Sequence, residues 1–207
     1  MKDIITLASP SAGEYEEKRS RFLCTLCPVT DADEALAVVA RVKKEHYEAR
    51  HNCWAYLLSD GSKRCSDDGE PQGTAGLPIL DALEKSGLTD VVAVVTRYFG
   101  GILLGAGGLL HAYSKATGDA LTKAQRCKML PCTVFSVDCA YSNLDPLKRL
   151  LSSFDASAAD IAYAASVTVK AALPTENFDR FCLSLTETFA ARLTASPEGE
   201  ELRPVLL

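Results

Sequence analysis

Val91-Val92-Ala93-Val94-Val95-Thr96-Arg97-Tyr98-Phe99-Gly100-Gly101-Ile102-Leu103-Leu104-Gly105-Ala106-Gly107-Gly108 is the stretch on which the reading of this chain turns. Val91–Arg97 is β-branched and apolar with a single arginine at its end, the pattern of a buried strand. Glycines crowd the segment from Gly100 to Gly108, and a helical period then runs from Leu109 to Ala124. Upstream lies Ser66-Asp67-Asp68-Gly69-Glu70-Pro71-Gln72-Gly73-Thr74-Ala75-Gly76, which leads into a helix over Ile79–Lys85. Pro78 suits that helix's first turn and Gly87 its end. Both loops thus open helices, where free backbone N–H groups and the helix dipole favour an anion. Clustered glycines also let backbone approach a ligand or another segment closely. A site in this chain is expected here.

Outside these loops, Asp3–Ala8 and Arg21–Cys27 read as strands joined by a charged connection. Thr30 is expected to cap a helix carrying Leu36, Val39 and Ala40, which ends near His46-Tyr47. Cys53–Leu58 reads as a strand, and Asp60-Gly61 turns it into a short partner around Lys63–Cys65. Near Arg126–Pro131 the pattern restarts. Strand Thr133–Ala140, helix Leu144–Ser152, strands Ala159–Ala164 and Val167–Ala172, helix Glu176–Ala190 and strand Arg192–Ala195 succeed one another. That βαββαβ order is the ferredoxin-like unit. The fold class predicted is α+β in two domains, residues 1–126 and 127–207.

A 47% hydrophobic content is ample for cores of this size. No run approaches the roughly 18 apolar residues of a membrane span. The start, Met1-Lys2-Asp3-Ile4-Ile5-Thr6, shows no apolar signal core, so a cytoplasmic location with no membrane partner is expected. The net charge of −5, with no lysine or arginine block, argues against strong non-specific DNA binding. Eight cysteines in such a compartment are expected as reduced thiols. Cys24-x-x-Cys27 falls on a strand, where positions three apart face opposite ways, so it makes a poor zinc pair.

The chain resembles the YigZ/IMPACT family (UPF0029) through several ordered motifs between Ser20 and Leu121. They are His51-Asn52-Cys53-Trp54-Ala55-Tyr56, the acidic loop SDDGEPQGTAG, Gly76-Leu77-Pro78-Ile79-Leu80, Val94-Val95-Thr96-Arg97-Tyr98-Phe99-Gly100-Gly101 and Leu104-Gly105. The resemblance implies an N-terminal domain with the fold shared by a small-subunit ribosomal protein and domain IV of elongation factor G. It implies a ferredoxin-like C-terminal domain resembling domain V of that factor. Eukaryotic members of the family restrain a translational stress kinase through an added N-terminal domain that this sequence does not carry.

Asp67, Asp68 and Glu70 are candidates to hold Mg²⁺ through carboxylate oxygens, with an ordinary solvated acidic turn as the alternative. Candidates for an anion or ligand are His51, Ser66, Thr74, Arg97, Tyr98, Gly100, Gly101, Gly105, Gly107 and Gly108. The glycine run matches neither a P-loop nor G-x-G-x-x-G, yet its backbone N–H groups can cradle a phosphate; tight helix packing is the competing explanation. Arg97 suits a phosphate with its neighbouring aromatics stacking on a base, or an internal carboxylate partner. His46, at a helix end, reads as a surface residue compatible with the helix dipole and His111 as structural, and no triad or dyad is assembled. Two functions are open. One is a non-catalytic regulator linked to translation that binds ribosome, RNA or a protein factor. The other is an enzyme or sensor for a small phosphorylated ligand or nucleotide.

Overall fold

In the computed structural model, residues 4–154 and 156–207 are described; Asp3, placed at the head of the first expected strand, lies outside them. The chain is a mixed α+β protein of two compact units, one running to Met129 and including Pro204–Leu207, the other Leu130–Arg203.

The first unit contains β1 (Ile4–Leu7), β2 (Ser11–Glu17), β3 (Ser20–Pro28), α1 (Ala32–Glu45), β4 (His51–Leu57), β5 (Lys63–Ser66), α2 (Gly76–Ser86), β6 (Val91–Tyr98) and α3 (Gly105–Lys123). An antiparallel sheet runs in the order β2-β3-β6-β4-β5. The valine run forms its centre because both of its faces are covered. Val91, Ala93 and Val95 pack with Ile79 and Leu83 of α2 and Ala112, Tyr113 and Ala116 of α3. Val92 and Val94 pack with Ala35, Val39 and Val42 of α1. A strand buried on both sides shows no apolar–polar alternation, which is why it reads as one continuous run. Cys24 and Cys27 go to these two opposite clusters, as their spacing requires.

Three expectations are corrected. The connection between the first two expected strands is itself a strand, β2. Its turn to β3 uses Lys18 and Arg19 at φ 47° and 67°, a left-handed pair without the glycine or asparagine that would announce it. The cap of α1 is Asp31 rather than Thr30: its carboxylate accepts from the Glu34 N–H at 2.8 Å, while Thr30 N–H donates to the Glu34 carboxylate. And α3 begins at Gly105, not Leu109, so residues 105–108 are the first turn of a helix rather than a loop.

In the second unit, β7 (Arg126–Cys139) enters from the first unit. A short 3₁₀ turn (Tyr141–Asn143), α4 (Leu144–Ser153), β8 (Ser157–Tyr163), β9 (Val167–Pro174), α5 (Thr175–Thr188) and β10 (Ala195–Leu206) come after it. The strands pair β10 to β7, β7 to β9 and β9 to β8, completing the βαββαβ order. Phe135, Val137, Val169 and Ala171 face Leu147 and Leu151 of α4 and Phe181 and Leu185 of α5. The intervening Ser136, Asp138, Thr168 and Lys170 take the other face, where Lys170 pairs with Glu198 at 3.0 Å. The last strand starts where the expected one ended. Most of its residues are exposed, so it carries no apolar period to read. All eight cysteines are free thiols. Among the described residues, no helix is long and apolar enough to cross a membrane.

Candidate functional site

The end of β6 brings Arg97 into register with Phe22 on β3 and His51 on β4. Being odd-numbered like Val95, it faces the α2–α3 side. Its Nη1 donates to Glu70 Oε1 at 2.7 Å, and the Tyr113 hydroxyl donates to the same oxygen at 2.9 Å. The guanidinium carbon lies 5.5 Å from the centres of both the Phe22 and Phe99 rings. Two charges in so dry a place hold only because each is paired and further hydrogen-bonded. One atom escapes this arrangement: Arg97 Nε is buried and has no hydrogen-bond partner.

Beneath the pair, Cys53 Sγ sits 3.3 Å from the Tyr113 hydroxyl and 2.9 Å from the Asp67 carbonyl oxygen. Burial pushes the Cys53 thiol up to about 12. Burial also raises the Tyr113 phenol, with the neighbouring Cys53 and Glu70 adding to the effect. Neither is a ready nucleophile or base.

The three carboxylates of the acidic loop have three separate partners. Asp67 turns back on its own chain and accepts from the N–H groups of Gly73, Ala75 and Gly76 at 2.8, 3.0 and 2.8 Å. Burial works to raise its pKa, but the bonds from Gly73, Gly76 and Ala75 outweigh it and hold the carboxyl below its ordinary value. Asp68 takes Lys43 Nζ at 2.6 Å and the Asn52 N–H at 2.7 Å. Glu70 serves Arg97 and Tyr113. The set expected for Mg²⁺ therefore does not converge, and among the described residues no group of three or more His, Cys, Asp or Glu is placed to hold a metal.

A cleft of about 440 Å³ opens over Arg97, lined also by Arg50, His51, Glu70, Phe99, Leu103 and the start of α3. Of the expected residues, His51, Glu70, Arg97 and Gly105 line it. His51 is set by its Nδ1, 2.9 Å from the Asp68 carbonyl oxygen. Gly107 and Gly108 continue the first turn of α3. Ser66, Thr74 and Tyr98 go elsewhere. Ser66 Oγ accepts from the Asp68 N–H at 3.2 Å, and Thr74 Oγ1 donates to the Pro71 carbonyl at 2.6 Å. Tyr98, the next residue after Arg97, takes the opposite face of β6 and pairs its hydroxyl with His46 Nδ1 at 2.9 Å. Gly100 is a packing residue: its N–H meets Ser20 Oγ, and a Cβ there would sit 2.1 Å from the Arg19 carbonyl carbon. Gly101, at φ 85°, comes next in the same loop.

Strand β6 does not run beside β5, the strand that precedes the acidic loop; β4 lies between them. Glu70 reaches Arg97 because the loop folds back across the end of the sheet, not because the strands are neighbours. The parts not foreseen were Tyr113, Phe22 and Arg50. Tyr113 had a legible signal, since a tyrosine on the buried stripe of a helix needs a partner for its hydroxyl.

Residues 18–121 match the family model of the Impact N-terminal domain, and residues 137–192 match that of a domain of unknown function, DUF1949. The IMPACT family member YigZ of Escherichia coli is 37% identical over 191 residues, covering 90% of this chain and 94% of its own length. The IMPACT family member YvyE of Bacillus subtilis is 50% identical over 114 residues, 53% of this chain and 52% of its own. Protein IMPACT of Bos taurus is 34% identical over 102 residues, 46% of this chain and 31% of its own. A crystal structure described as that of an hypothetical protein superposes with a TM-score of 0.63 at 35% identity, covering 97% of this chain and all of that one.

Proposed function

The chain belongs to the YigZ/IMPACT family, and from that premise we propose that it is a non-catalytic, cytoplasmic regulator linked to translation that binds ribosomal RNA through the cleft of its first unit. A ribosome-associated protein factor is the related partner class. One observation carries the reading: Glu70 and Arg97, which line the cleft, and Tyr113 and Cys53 behind them are bound to one another. Arg97, Glu70, Tyr113, Cys53 and the Asp67 backbone form one connected internal network. Such a network suits a fixed recognition surface, while the buried thiol and phenol behind it are held protonated. Above it, Arg50 and the exposed Phe99 offer a cation and a stacking ring, the two elements that single-stranded nucleic acid uses. The second unit contributes less, because the uncovered face of its sheet presents Ser136, Asp138, Thr168 and Lys170 rather than stacking aromatics. The likeness to elongation-factor domains belongs to the same reading.

The test is sedimentation of the purified protein with ribosomes across a salt series. Co-sedimentation at low salt, weakened by Arg50→Ala and lost as salt rises, is the expected result. Protein that stays in the supernatant at low salt and crosslinks to no RNA overturns the proposal.

A further inference from the structure

Two helices open beside the acidic and glycine-rich loops, and their first turns differ in kind. The first-turn amides of α2 are taken by Asp67. Those of α3 have no side-chain cap and no acidic residue within the turn itself, and Gly105 and Ala106 line the cleft directly. A helix start alone does not define a ligand. Here a second observation points the same way: Arg97, 6% exposed and lining the same cleft, keeps its Nε without a hydrogen-bond partner. Exposed Arg50 adds a second cation, with no ion-pair partner among the described residues. With Glu70 counted, the formal charges of Arg50, Arg97 and Glu70 leave the cleft positive by one. Its other side is apolar, with Phe99 52% exposed and Leu103 83% exposed. The volume, about 440 Å³, is far more than a bare oxyanion needs and falls within the roughly 300–1,000 Å³ of small-molecule sites.

We propose that this cleft binds one 5′-phosphorylated nucleotide, with the phosphate on the first-turn amides of α3 beside Arg50 and Arg97 and the base against Phe99 and Leu103. The inference deepens the RNA-binding reading and rests on it for the biological source of the nucleotide. The chemistry is shared by a free mononucleotide and by the phosphorylated end of a strand. Tetrahedral oxyanions suit an array of convergent N–H groups, and a base face suits an exposed aromatic ring. No metal is needed, because the charge is met by arginine and backbone.

The experiment is isothermal titration of the full chain with adenosine 5′-monophosphate, adenosine, inorganic phosphate, and a short single-stranded RNA with either a 5′-phosphate or a 5′-hydroxyl. The monophosphate is expected to bind at least about tenfold more tightly than adenosine or phosphate alone, since each lacks half of the contacts. Gly107→Asp is the diagnostic variant. A Cβ at Gly107 meets nothing within 4 Å, and an acid in a first helical turn favours the helix, so the fold survives while the anion is repelled. A loss of at least about tenfold is expected, and a similar loss for Phe99→Ala. Gly118→Asp adds the same charge to the same helix away from the cleft, also into open space, and leaves affinity within about twofold. A phosphorylated strand that outbinds the mononucleotide assigns the occupant to a strand end; the reverse order assigns it to a free nucleotide. The proposal falls if neither the monophosphate nor the phosphorylated strand binds at millimolar concentration, or if binding ignores Gly107→Asp. Ribosome sedimentation separates the two readings. A chain that sediments with ribosomes but binds no nucleotide removes only this inference, and one that binds nucleotide without sedimenting removes only the translation reading.

Discussion

Arg97 and Glu70 meet at 2.7 Å with side chains that are 7% and 4% exposed, an ion pair almost wholly withdrawn from water. Such a pair is costly to assemble and more costly to break, because removing one member strands the other charge in a dry interior.

Glu70→Ala and Arg97→Ala are therefore each expected to destabilise the first unit by about 3–5 kcal/mol, read from urea unfolding. Glu70→Ala also deprives the Tyr113 hydroxyl of its acceptor. The double variant Glu70→Met, Arg97→Met is expected to be more stable than either single variant. An Arg97→Ala protein as stable as the parent would show that the pair is not structural, and Arg97 would then stand as a ligand residue alone.

Asp67 should act as the cap of α2. Asp67→Ala removes the acceptor of three N–H groups, and a loss of about 1–2 kcal/mol is expected at neutral pH. The carboxyl titrates below its ordinary value of 3.8 in the folded state. Its stabilising contribution is thus fully present above that pH and fades as pH falls through the lower folded-state value. Thermal melts of the two proteins should converge in acid; a gap that does not change with pH would refute the capping role.

Cys53 should be silent to alkylation in the folded protein at about pH 8, because burial holds its thiol near 12 and closes it to solvent. The half-buried Cys65 and Cys182 should react first. Mass spectrometry after timed iodoacetamide labelling reads the order, and early labelling of Cys53 would mean that the Cys53–Tyr113 region opens readily.

Gly13→Ala should destabilise the first unit although it lies on a strand at the sheet edge. A Cβ there would stand 2.3 Å from Ala120 N and 2.7 Å from Ala116 O, both backbone atoms of α3 that cannot swing aside. A cost of about 1–3 kcal/mol is expected from denaturant unfolding. An unchanged midpoint would mean that α3 can lift from β2 freely.

Much of the fold was legible because its elements obey local rules. The valine run, the proline in the first turn of α2, the left-handed Gly87 that ends it and the apolar stripes of α4 and α5 all carry their own period or punctuation. The elements that escaped broke those rules. β2 opens on three small residues, carries three glutamates around Tyr15 and turns on Lys18-Arg19, while β10 is exposed along most of its length. The start of α3 was displaced by four residues because glycine is read as loop, although an unstrained glycine can stand in a first helical turn.

By itself, the sequence determined the two-unit α+β architecture and the family. Those come from short-range periodicity and from the residue types that turns and helix starts demand. Only the tertiary structure decided the use of each charged residue. Three neighbouring carboxylates went to a helix start, to a lysine 25 positions away and to an arginine 27 positions away. The physical reason is that desolvation makes pairing obligatory without saying which partner is near. That choice was made by the order of the strands, by the fold-back of the acidic loop, and by a tyrosine on α3 that no local pattern connects to Glu70.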